Sequence, residues 1–93
     1  MNDYLLVEKE KITEISFPNL DVISELKDRS LRTQKIHRAT SLGNIENYKV
    51  HIIFQDQESV KKVYTTIWAH TQENIVLKKG IMIPVNRIVD IQF

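Results

Sequence analysis

Cysteine is absent from this chain, glycine and proline occur twice each, and there is one tryptophan. Without thiols, disulfide staples, thiolate metal sites and cysteine nucleophiles are excluded. The scarcity of glycine and proline argues against linkers and low-complexity tracts, and no internal repeat is found. No apolar run approaches the roughly 20 residues that span a bilayer. The start, Met1 to Val7, lacks the basic region and small-residue cleavage site of a secretory leader. The expectations are a cytoplasmic location and no membrane association.

Catalytic signatures are missing too. Ser16, Ser24, Ser30, Ser41 and Ser59 are not in glycine-flanked elbows, and the isolated Gly43 and Gly80 form no phosphate-cradling loop. Glu8 and Glu10 stand in a charged segment, where raised carboxyl pKa values are not expected. His51 and His70 fall on one proposed strand face, but no third ligand accompanies them at metal-binding spacing. The chain therefore reads as non-enzymatic, with no cofactor, no metal and no small-molecule substrate.

What is present fits one small domain over residues 1–93, 42% hydrophobic and 27% charged. Tyr48, Val50, Ile52 and Phe54 alternate with more polar residues, as do Val63, Thr65, Ile67 and Ala69. This period of two predicts two strands. Closing them through a loop at 56–59 sets Val63 opposite Ile52, Thr65 opposite Val50 and Ile67 opposite Tyr48, so the apolar sets share one face. Residues 75–78 and 81–83 predict two more strands about a Lys79-Gly80 turn. Pro84 ends the fourth, Asn86-Arg87 makes a tight connection, and 88–93 is a fifth.

Upstream, Asp21 is the expected N-cap of one long helix over about 22–42, with Gly43-Asn44 as its stop. A break near Ser30-Leu31 is the alternative. Residues 1–17 read as an added strand, a second helix or a loosely ordered arm. The expected fold class is α+β: a helical segment over 18–44, then a five-stranded antiparallel small β-barrel over 47–93.

The run Gly80-Ile81-Met82-Ile83-Pro84-Val85-Asn86-Arg87-Ile88-Val89-Asp90-Ile91 resembles the ending of many small bacterial β-barrels. A helix followed by five bent strands is similar to the Sm-like, SH3-like and Rof-like families, over roughly residues 22–93. That resemblance is architectural. It implies either RNA binding with ring assembly, as in Sm-like proteins, or binding to a protein that itself binds RNA, as in Rof-like ones.

Charge is uneven along the chain. Residues 1–26 hold six acidic and two basic groups, whereas Lys27, Arg29, Arg32, Lys35 and Arg38 face only Asp28 within 27–38. On a helix Lys27 and Arg38 lie within about 20° and the others spread round, which makes a collar rather than a stripe. The collar is suited to phosphates, or else is a solvated surface paired with nearby carboxylates. On the outer barrel face, Tyr64, Trp68, His51 and His70 interleave with Lys49 and Lys62, a pattern suited to base stacking. The competing possibility is that the helix docks on Ile53, Tyr64 and Trp68.

The expected function is a binding module for RNA using Arg29, Arg32, Lys35, Arg38, Lys62, Tyr64 and Trp68. The alternative is a protein-interaction or regulatory domain, or a self-associating one, with no nucleic-acid contact.

Overall fold

The computed structural model describes residues 4–93. Its elements are β1 (Leu5–Leu6), α1 (Leu26–Glu46), β2 (Val50–Gln55), β3 (Val60–Thr65), β4 (Ile67–His70), β5 (Asn74–Leu77), β6 (Met82–Pro84) and β7 (Ile88–Gln92). Three short 3₁₀ turns, Lys9–Glu14, Lys78–Gly80 and Val85–Arg87, connect them. No helix among the described residues is long and apolar enough to cross a membrane.

The fold is α+β, but the five-stranded barrel with an N-terminal helix is not what forms. Seven strands make two sheets, ordered β1-β3-β2-β7 and β4-β5-β6. No ladder joins one sheet to the other among the described residues, so the barrel does not close. The β2–β3 hairpin keeps the register expected from its alternation, with Ile52 opposite Val63 and Val50 opposite Thr65. The long second strand does not survive. It breaks at Thr66, and Ile67 pairs with Leu77 instead of facing Tyr48. Such a bend lets one strand pass from sheet to sheet. Thr66 is buried at this corner, and its hydroxyl donates to the Asn47 carbonyl at 3.2 Å.

Val50, Ile52, Phe54, Val63, Ile88 and Ile91 of the first sheet share a core with Ile67, Ile75, Leu77 and Ile83 of the second. The open sides of this two-sheet core are covered by other elements. Helix α1 packs on β4 and β7, through buried Ile36, Ala39 and Gly43. The 3₁₀ turn Lys9–Glu14 packs on β3 and β6 and buries Ile12 in the same core. Helix and turn thus do what strand pairing does in a closed barrel. β1 adds to β3 in parallel, with Leu5 beside Lys61 and Leu6 beside Lys62.

The helix begins at Leu26, not at 22, because Asp21 is not its cap. The Asp21 carboxylate accepts the Ile23 N–H at 2.8 Å and holds Arg32, while Val22 N–H donates to Asn86 O at 2.9 Å. These bonds tie 21–23 to the turn before β7. At the other end the helix runs through Gly43 and stops where Asn47 takes a left-handed conformation, φ 55°.

Gly43 is therefore a contact residue. A Cβ there would collide with the Ile67 carbonyl oxygen and come within 2.8 Å of Thr66 Cγ2. Alanine is the better helix former by about 1 kcal/mol, yet overpacking of this kind costs about 1–3 kcal/mol. Because the obstacle is backbone, the clash wins. Gly43→Ala is expected to lower the unfolding free energy by up to about 2 kcal/mol net, read as a lower urea midpoint, despite its gain in propensity. An unchanged or raised midpoint would show that α1 does not approach β4 this closely.

Candidate nucleic-acid interface

Four members of the basic collar have partners within the fold. Arg32 is buried, and its guanidinium makes a two-point pair with Asp21: Nη1 to Oδ1 at 2.9 Å and Nη2 to Oδ2 at 2.8 Å. The same Nη1 donates to the Ile88 carbonyl at 3.1 Å. Arg29 Nε lies 3.2 Å from Asp21 Oδ2 and donates to Ile23 O at 2.6 Å. Lys35 pairs with Asp90 at 2.6 Å, and the Arg38 guanidinium stacks 4.3 Å from the Phe93 ring centroid. Four of the expected phosphate ligands are thus engaged by the fold. Period and charge gave their angles on the helix but not their partners, which come from remote segments of the chain.

Tyr64 and Trp68 are brought together. Tyr64 is the second-last residue of β3, and Trp68 follows the corner at Thr66. Ile67 pairs with Leu77 and Ala69 with Val76, so Trp68 is an extra residue in β4, a bulge. Bulges re-aim side chains, and they recur beside functional sites. Trp68 is partly exposed, so helix α1, which packs on β4 and β7, does not bury this pair. Tyr64 is 50% exposed.

Both aromatics line an open cleft of about 400 Å³, together with Lys9, Asn47, Lys49, Thr65, Thr66 and Lys78. Each residue arrives from a different place. Lys9 begins the first 3₁₀ turn, Asn47 caps α1, Lys49 precedes β2, and Lys78 follows β5. Among the described residues the lining carries three lysines and no carboxylate. Lys9 Nζ lies 3.4 Å from Glu10, which shares its charge, whereas Lys49 and Lys78 form no ion pair among the described residues. The Lys49 ammonium stands 5.8 Å from the Tyr64 ring, in cation–π range.

Lys62 is placed elsewhere. It is half-buried beside Leu6 and Ile53 in the ladders and does not line the cleft. The histidines also separate. His51 stacks on Tyr64 at 4.4 Å between ring centroids, and His70 meets His37 edge-on at 4.3 Å. Their common face was a consequence of reading β3 and β4 as one strand. No group of three potential metal ligands occurs among the described residues.

Lys9 and Lys78 are the site residues that sequence reasoning missed. Lys78 sits beside the Lys79-Gly80 turn, where φ is 70° and 76°, so the hairpin was a usable signal. Lys9 offered none, because its position depends on how the N-terminal segment packs. No family model matches this chain, and no curated protein and no solved structure matches it either.

Proposed function

We propose that this protein is a binding module for single-stranded RNA. Bases stack on Trp68 and Tyr64, and phosphates meet Lys9, Lys49 and Lys78. One observation carries the reading: among the described residues, two partly exposed aromatics and three lysines, without a carboxylate, line a single open cleft. Flat π faces and cations in one groove are what strand binding without strict sequence preference requires. Asn47 and the two threonines add polar groups at the same wall.

Trp68 is the sole tryptophan, so its fluorescence reports on the cleft directly. Titration with an RNA oligonucleotide at low salt is expected to change that emission saturably. Three lysine–phosphate contacts correspond to a slope of log K on log salt of about −2, at roughly −0.7 for each contact on a single strand. Lys49→Gln with Lys78→Gln is expected to flatten the slope to about −0.7. Trp68→Ala, followed by filter binding, is expected to lose about 1–3 kcal/mol of affinity. Lys35→Gln, whose charge is already paired with Asp90, is the control that leaves binding nearly unchanged. Absence of binding at low salt overturns the proposal, as does binding that ignores the cleft variants.

A further inference from the structure

Beside the cleft lies a second hollow of about 480 Å³, lined by Leu6, Val7, Glu8, Lys9, Glu10 and Tyr64. Lys9 and Tyr64 line both spaces, so they form the divide between them. The chemistry changes across that divide. The first space is cationic and aromatic. The second is lined by the apolar Leu6 and Val7 and by Glu8 and Glu10, the Glu10 carboxylate lying 3.4 Å from Lys9 and 3.5 Å from Lys79. Leu6 is 58% exposed on the two-residue edge strand β1, an apolar side chain left in reach of a ligand.

We infer that the binding unit is a dinucleotide step, with a second base seated in this hollow on Leu6 and Val7 and its linking phosphate at Lys9. The inference rests on the RNA-binding reading of the cleft and names what continues from it. His51 already covers one face of the Tyr64 ring. With the Lys49 ammonium also 5.8 Å from that ring, Tyr64 serves as the wall between the two spaces, while Trp68 supplies the main platform of the first. Glu8, which forms no ion pair among the described residues, disfavours a phosphate in the second hollow, whereas Lys9 favours one at the divide. A base is not repelled. Carboxylate oxygens only accept hydrogen bonds, so they favour the exocyclic amino donor of cytosine, as of adenine and guanine, over the carbonyl that stands in its place in uracil.

The test is a length series of cytidine nucleotides, from the monophosphate to the tetranucleotide, read by Trp68 fluorescence. Affinity is expected to rise by roughly 5- to 150-fold from one nucleotide to two, the range for one stacked base. Later steps should be smaller. Leu6→Asp, a change at an exposed position, is expected to remove the first step and leave monophosphate binding unchanged. Glu8→Gln is expected to narrow the preference of the cytidine over the uridine dinucleotide. If the second nucleotide adds nothing, or Leu6→Asp leaves dinucleotide binding intact, the second base site is overturned while the cleft stands. If no nucleotide of any length perturbs Trp68, the RNA-binding reading itself is overturned, and this inference with it.

Discussion

Asp21→Ala is expected to cost about 3–5 kcal/mol of folding stability, the penalty for stranding one member of a buried ion pair. Arg32 cannot turn to water when its partner is removed, because its side chain is only 5% exposed. Its Nε is already buried without a hydrogen-bond partner, so the site has no slack. The carboxylate also holds Arg29 and the Ile23 N–H, and those contacts go with it. Urea unfolding measures the loss. Adding Arg32→Met to Asp21→Ala is expected to recover much of it, since an uncharged side chain of similar length leaves no buried charge unpaired. A loss under about 1 kcal/mol would mean that the pair behaves as a surface one.

The same pair gives stability a pH dependence. Hydrogen bonding to Arg32 outweighs the opposing effect of burial and, with the Ile23 N–H and the charges of Arg32 and Arg29, holds the Asp21 carboxyl below its ordinary range. A carboxyl depressed in the folded state contributes stability that is present above its unfolded pKa of about 3.9, and that is lost as pH falls through the folded value. Asp56 adds to this in the same direction. Burial raises its pKa, but Lys61 and the N–H groups of Ser59 and Glu58 outweigh that effect. The wild-type protein is expected to lose stability on acidification below about pH 4, and Asp21→Ala to show a shallower loss. A consequence for the interface follows. Charge reversal at Arg32 would test the fold and not RNA contact, so the informative variants lie at Lys49, Lys78 and Trp68.

What the sequence revealed was local. Alternation placed β2 against β3 in the right register, because a half-buried strand must put Val50, Ile52 and Val63 on one side. Positive φ at Lys79 and Gly80, and the 3₁₀ turn before β7, were also legible, since short-range turn chemistry sets them. The bend at Thr66 was not. Nothing in Val63-Tyr64-Thr65-Thr66-Ile67-Trp68 interrupts a strand pattern, and the break is imposed from outside by Gly43 of α1 and the carbonyl of Asn47. From that single miss came the uninterrupted second strand and the common histidine face. The candidate site divides in the same way. Tyr64 and Trp68 were visible as aromatics on one strand face, but whether the helix would cover them was not legible. The internal partners of the collar were not legible, because a run of like charge does not show which arginine the core will bury.

The N-terminal segment tests the two-sheet arrangement most directly. Ile12→Ala is expected to cost about 2–5 kcal/mol, the usual range for truncating a large aliphatic side chain in a packed core. Ile12 is 2% exposed and joins Ile36, Phe54 and Val63 in one core cluster. Its neighbour Phe17 packs on Phe54, with ring centroids 5.9 Å apart. Lys11→Ala, at an exposed position of the same turn, is expected to stay within about 0.5 kcal/mol. A loosely ordered arm would make the two substitutions equally silent, so the contrast decides whether this segment seals the side between β3 and β6. The result bears on function as well. Lys9 opens the turn that Ile12 anchors, and Leu6 lies in the strand just before it. At a urea concentration where the variant is still folded, local opening of this turn releases Lys9 from the cleft and Leu6 from the hollow together. Ile12→Ala should then weaken the dinucleotide more than the mononucleotide, which keeps Trp68 and Lys49 as its principal contacts. Equal weakening of both would place the anchoring of Lys9 in some other contact.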